Sequence, residues 1–218
     1  MLFYYESIEG LSLSRYYKAL TNQNIDMGES KEAKANYKMW KKLAKDDMDG
    51  CEACEASDEI AYLNFTGEYE AALELATPII SGELGCIKVP YTTYAPILFS
   101  MVALGRIEEA TALLPKAAAM IESDPRFINQ IAPLIEIAVR LGEHETALSL
   151  ARKHSHAILD SNDDLNYLKL LIPIVAFGDE NTYKMALEIA GKFDARNQNF
   201  YYADYLNKFY EEFSGLEI

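Results

Sequence analysis

An all-α fold built from about five helical hairpins is what this sequence predicts, and three observations carry it. Five glycines, Gly28, Gly67, Gly105, Gly142 and Gly178, recur at intervals of 39, 38, 37 and 36 residues. After each of the first four an alanine follows five positions on, at Ala33, Ala72, Ala110 and Ala147. Each glycine also separates an apolar stretch from an alanine-centred one, both with helical spacing. A period of this size marks a repeat array, in which one hairpin buries its apolar face only against its neighbours. Glycine lacks a Cβ and takes the left-handed conformation that ends a helix, and the acidic residues after it suit the positive start of the next. The small alanine then lets the two helices approach closely. In the fifth corner Ala186 lies eight residues after Gly178, so that turn is three residues longer, while Tyr183 and Ala186 keep the spacing of Tyr69 and Ala72.

Taken in order, the first helices of the hairpins are expected at 12–27, 54–66, 91–104, 126–141 and 164–177. The second helices are expected at 30–45, 69–80, 107–122, 144–160 and 181–193. The hairpins thus cover 12–45, 54–80, 91–122, 126–160 and 164–193 within one domain spanning 1–218. Loops 46–50 and 81–90 carry turn-forming residues and are too short to be domain linkers. Asp163 and Asp164 read as a helix start, where carboxylates cap free backbone amides. Pro96 and Pro133 each stand nine residues before a corner glycine, and Pro173 stands five before Gly178. An interior proline costs roughly 3 kcal/mol, so those helices either kink or start later than drawn. Residues 197–213 place Phe200, Tyr201, Tyr205, Phe209 and Phe213 at mostly helical spacing and read as a helix capping the end of the stack. The aromatic residues 2–5 are expected to cover the other end, unless the chain continues from a longer one.

The corners resemble the tetratricopeptide repeat, whose motif has glycine, an aromatic or apolar residue two positions on and alanine five positions on. Tyr69 and Ile107 fill the middle position, whereas Ser30 and His144 do not. Tyr37, four residues after Ala33, matches a further family position that Ala76, Leu114 and Ala151 leave unmatched. The period exceeds the family's roughly 34 residues, so loops or helices must be longer. The resemblance spans most of 12–195 and implies an α-α superhelix, a TPR-like solenoid whose first helices line a concave groove. Positions 13, 10, 9 and 6 before each corner glycine would face that groove. The candidates so implied are Arg15, Lys18, Asn22, Asp58, Thr92, Phe99, Asn129, Glu136 and Lys169, with Ala19, Ala61 and Ile172 beside them. Lys18 and Asn22 also resemble part of the clamp by which chaperone-binding members hold a peptide carboxylate. That match stops at Asp58, an acid where the clamp has a donor, and at Thr92 and Pro96.

Composition narrows the function classes. With 218 residues, 50% of them hydrophobic and 11% aromatic, the chain can bury a sizeable core. Its 20 Lys and Arg against 34 Asp and Glu leave a net charge of −14, which argues against nucleic acid, whose affinity comes largely from cationic side chains. The partner expected is a protein or peptide, basic in character and steered by that charge. The longest apolar stretch, 170–177, contains Pro173 and is far short of a bilayer span. The start lacks the marks of a signal peptide, and three cysteines, an odd number, suit a reducing compartment, so the expected location is the cytoplasm. The 15 tyrosines favour recognition surfaces as well as cores, with Tyr37 and Tyr69 expected between helices.

The cysteines are the one cluster with chemistry in it. Cys51 and Cys54 form a CxxC in the loop entering the second hairpin, and Cys86 lies in the next loop of the same kind. Both loops should emerge at one edge, where the three thiols can meet. A closed structural zinc site needs four ligands, and His144, His154 and His156 are not placed to supply the fourth. Reduced structural thiols are the default reading, with zinc at Cys51, Cys54 and Cys86 or a CxxC redox pair as alternatives. No other cofactor is expected. No phosphate loop, His-Glu-x-x-His or Gly-x-Ser-x-Gly motif is present, and on a helix His154 and His156 point about 200° apart. The function expected is a non-enzymatic adaptor or regulator that binds a peptide along the groove. The alternatives are a metal- or redox-responsive regulator acting through the three cysteines, or a scaffold segment of a larger assembly.

Overall fold

In the computed structural model, which describes residues 12–216 other than 47, 48, 161, 162 and 179, every regular element is helical. The aromatic residues 2–5 lie outside the described residues. The helices run in chain order as α1 (Ser14–Met27), α2 (Ser30–Lys42), α3 (Glu52–Thr66), α4 (Tyr69–Ile80), α5 (Tyr94–Ala103) and α6 (Ile107–Glu122). A 3-10 turn (Pro125–Gln130) then leads into α7 (Ile131–Arg140), followed by α8 (His144–Leu159), α9 (Asp164–Ile174), α10 (Glu180–Asn197) and α11 (Tyr201–Phe213). Among the described residues no helix is long and apolar enough to cross a membrane. The chain divides into two compact units, one ending at Ser100 and one beginning at Met101, with the division inside α5.

Four corners share one geometry. Gly28, Gly67, Gly105 and Gly142 have φ of 74°, 80°, 71° and 75°. At the first, the Gly28 amide donates to the Ile25 carbonyl at 3.1 Å and the Glu29 amide to the Asn24 carbonyl at 2.8 Å. The same two bonds, reaching three and five residues back, close the other three corners. This is the Schellman closure, which satisfies carbonyls that a helix end otherwise leaves orphaned. A Cβ on Gly67, Gly105 or Gly142 would meet nothing within 4 Å, so backbone conformation and not space demands glycine there.

The fifth corner is built differently. There the amides of Ala176 and Phe177 bond to the carbonyls of Pro173 and Ile174 at 3.4 and 3.0 Å, and Gly178 lies outside the left-handed region. Space demands glycine instead, because a Cβ would lie 2.8 Å from the Thr182 Cβ. All five template alanines, Ala33, Ala72, Ala110, Ala147 and Ala186, are nevertheless 0% exposed. The close helix approach therefore survives even where the turn changes.

Helix starts differ from expectation where proline decides. α5 and α7 begin at Tyr94 and Ile131, so Pro96 and Pro133 are each the third residue of their helix. At that position the missing amide has no intrahelical carbonyl to reach, so neither helix needs to kink. The expected starts at 91 and 126 are too early for this reason, and 125–130 form the 3-10 turn instead. Pro173 closes the last turn of α9, which ends at Ile174 and not at 177. α2 stops at Lys42, short of the expected 45. α10 runs on to Asn197, and the capping helix starts only at Tyr201. The buried Asp194 of α10 accepts bonds from the amides of Tyr202 and Ala203 at 2.9 Å each, so the preceding helix caps the last one. Asp163 caps α9 as expected, accepting from Leu165 and Asn166.

Candidate functional site

The thiol cluster is assembled from two loops of the first unit. Because α3 begins at Glu52, Cys51 is its N-cap residue and Cys54 sits in its first turn. Cys86 comes from the loop between α4 and α5, which folds on itself through bonds from the Leu84 amide to the Pro78 carbonyl (2.8 Å) and from the Cys86 amide to the Val89 carbonyl (3.1 Å). Val89, only 1% exposed, anchors that loop in the core. The outcome is three free thiols whose sulfurs all lie within 4.8 Å of one another, with Cys54 and Cys86 at 3.5 Å. Gly50 makes this possible at close quarters. A Cβ there would crowd the Lys18 Nζ (3.2 Å), the Glu55 Oε1 (3.3 Å) and the Cys54 Cβ (3.4 Å).

Two of the thiols are driven apart in acidity. Burial pushes Cys54 up to about 12, reinforced by its hydrogen bonds with Cys51 and Cys86. Burial also opposes charge on Cys86, but the backbone amides of Lys88 and Val89 and then the neighbouring thiols outweigh it and bring Cys86 down to about 7. The Lys88 amide lies 3.4 Å from its sulfur. Of the two, Cys86 is therefore the thiol that gives up its proton first. Such a cluster can act as a nucleophile or as a soft ligand set.

Beside the thiols lies an ion network around the buried Glu55 that sequence reasoning missed. Glu55, 5% exposed, accepts from Lys18 and from the Trp40 indole at 3.0 Å, and forms an ion pair with Lys45 at 3.3 Å. Lys18 also lies 3.6 Å from Asp58, and Asn22 donates to Asp58 at 3.1 Å. Where the family resemblance implies a bound carboxylate, two carboxylates of the chain's own α3 stand against Lys18 and Asn22. Burial raises the Glu55 carboxyl, but the Lys18 bond and charge outweigh it and hold it low. Asp58, with the poorer share of Lys18, is raised by its burial. Burial works against the Lys18 charge, and Glu55 overcomes that to raise its pKa. The signal for Glu55 is an acid amid the buried positions Ala53, Ala56 and Ser57 of an otherwise core-facing turn.

The remaining candidates fall as follows. In the first unit Arg15 is exposed on α1, the Thr92 hydroxyl is 3.2 Å from that of Ser57, and the Phe99 ring tilts against Tyr69 at 6.2 Å between centroids. Tyr37 stacks on Tyr62 at 3.8 Å and donates to Glu59. In the second unit Asn129 lies on the 3-10 turn, its Oδ1 buried without a partner among the described residues. Glu136 accepts from Arg140 at 2.9 Å and from the Tyr205 hydroxyl, so it ties α7 to the capping helix. Lys169 is half-buried on α9. His154 is buried against Glu122 at 2.5 Å, His156 is exposed, and His144 meets the Phe177 ring edge-on. Comparison with protein-family models, curated proteins and solved structures returns no match.

Proposed function

We propose that this chain is a helical-repeat protein of tetratricopeptide type that binds a protein or peptide segment across its first helices, as an adaptor or regulator and not as an enzyme. The observation that carries this reading is a ladder of side-chain bonds in the first unit. Asn22 pairs with Asp58, Ser57 with Thr93 and Asn64 with Ser100, each pair 36 residues apart. Bonds that repeat at one period lay α1, α3 and α5 side by side in register, which is how stacked repeats build an extended binding face. The exposed Arg15 and the half-buried Thr92 and Phe99 belong to that face. In the second unit α7 packs on α9, with Asn129, Glu136 and Lys169 as the corresponding candidates.

The corners supply the charge. Glu32, Glu68 and Glu70 in one unit, and Glu108, Glu109 and Glu145 in the other, are exposed just after the corner glycines. With a net charge of −14 they favour a basic partner and fast, salt-sensitive association. The test is affinity capture by the full chain followed by cross-linking mass spectrometry. Cross-links should fall on α1, α3 and α5, and association should slow as salt rises. Cross-links confined to the second helices, or association indifferent to salt, would remove this reading.

A further inference from the structure

Three sulfurs, two from the start of α3 and one from the loop between α4 and α5, meet at the N-terminal end of α3, the end opposite its Gly67 corner, with Cys54 and Cys86 32 residues apart in sequence. Tetrahedral zinc with Zn–S bonds of about 2.3 Å sets its ligand sulfurs about 3.8 Å apart. The cluster spans that value, with 3.5 Å between Cys54 and Cys86 and no sulfur pair beyond 4.8 Å. Shifts of less than roughly 1 Å would bring all three to bonding distance of one ion. A disulfide would instead draw two sulfurs to about 2.05 Å and leave the third unused. Among the described residues no further histidine, cysteine or carboxylate joins the group. Cys51 is exposed, so the cluster is within reach of solvent.

We propose that Cys51, Cys54 and Cys86 form a zinc site with three thiolate ligands and a fourth position open to water or an incoming donor. The ion would cross-link the loop before α3 to the loop before α5. It thereby fixes the spacing of two first helices of the first unit. It is independent of the peptide-binding reading, since either can fail alone. Val89 already anchors the loop before α5 in the core, and α3 holds Cys54 in its first turn, so the site needs little ordering on binding.

The test uses the full chain, stripped of metal under reducing conditions and titrated with Co2+ and then Zn2+. One equivalent of cobalt should give thiolate-to-metal charge-transfer absorption and the intense visible bands of a tetrahedral ion, and zinc should bleach both. Zinc should also raise the melting temperature. Because Cys51 is exposed, C51S leaves the packing intact, and it should weaken zinc binding by more than the roughly 100-fold that changes outside the ligand shell cost. C86S, which removes one of the three thiolates, should lower the charge-transfer intensity per bound cobalt and weaken binding. Cobalt binding without that band, a C51S or C86S variant that keeps wild-type affinity, or freshly purified protein carrying a Cys54–Cys86 disulfide by mass would each overturn the site.

Discussion

The two units meet the same packing problem with different chemistry. In the first, the contacts between first helices are polar. Lys18 reaches Glu55, Asn22 reaches Asp58, the Thr93 hydroxyl donates to Ser57 at 2.8 Å, and Ser100 donates to Asn64 at 2.7 Å. In the second, α7 and α9 pack on each other, and both are rich in buried apolar residues, Ile131, Leu134, Ile135, Ile137 and Val139 on α7 and Leu168, Leu170, Leu171 and Ile172 on α9. The difference teaches what a repeat can vary. Corner glycines and buried alanines set the hairpin, and either directional bonds or apolar area can join one hairpin to the next. Directional bonds fix register but leave a desolvated donor behind when one partner is lost. Apolar contacts degrade with lost volume.

The largest expected effect breaks the polar side of this comparison. E55A takes the acceptor from the buried Trp40 indole and the nearer carboxylate from the half-buried Lys18, which keeps Asp58 at 3.6 Å, and should cost about 2–5 kcal/mol in urea unfolding. A loss below about 1 kcal/mol, the scale of an exposed pair, would show that the network does not hold α1 to α3. L134A, at a fully buried site of α7, should cost about 2–5 kcal/mol by lost contact and cavity. The two variants separate the mechanisms further. E55Q, which removes charge but keeps shape, should restore part of the E55A loss, whereas L134M should restore nearly all of the L134A loss.

A smaller effect compares corners. G142A forces a left-handed alanine at φ 75° and should cost about 1–2 kcal/mol, with no side chain near enough to relieve it. G178A should cost about 1–3 kcal/mol by crowding Thr182, and in a double-mutant cycle T182G should recover that loss. Additive values at 178 and 182 would contradict the steric account of the fifth corner.

The smallest effect is a pH dependence in the second unit. Burial raises the Glu122 carboxyl, but bonds from His154 and Lys153 outweigh it and hold it below the ordinary range. A lowered folded-state pKa stabilises the fold above the unfolded value of about 4.3, and that stability fades as pH falls through the folded value. E122Q should therefore lower the urea midpoint slightly at pH 7 and flatten its decline between about pH 4.3 and lower values. An unchanged acid slope would show that other carboxylates carry it.

Much of this was legible in the chain before any coordinates, and the exceptions share a cause. Gly28, Gly67, Gly105 and Gly142 announced their corners because a left-handed residue is a local demand that almost only glycine meets. Cys51, Cys54 and Cys86 were legible as a meeting of loops because the repeat places successive loops at one edge. Pro96 and Pro133 were ambiguous, since a third-residue proline and a kinking one look alike in sequence. Glu55 and Asp58 were not legible as the occupants of Lys18 and Asn22, since one acid among 34 Asp and Glu carries no local mark of its partner.

What the amino-acid order settled alone was the all-helical hairpin plan, through glycine conformations, helix caps and alanine spacing that act within a few residues. What only the tertiary structure decided was which groups meet across hairpins: Lys18 with Glu55, Glu136 with Tyr205, and Cys86 at 3.5 Å from Cys54. Those pairings join residues 32 to 69 positions apart. Their energies depend on burial and distance, which exist only once the hairpins have packed.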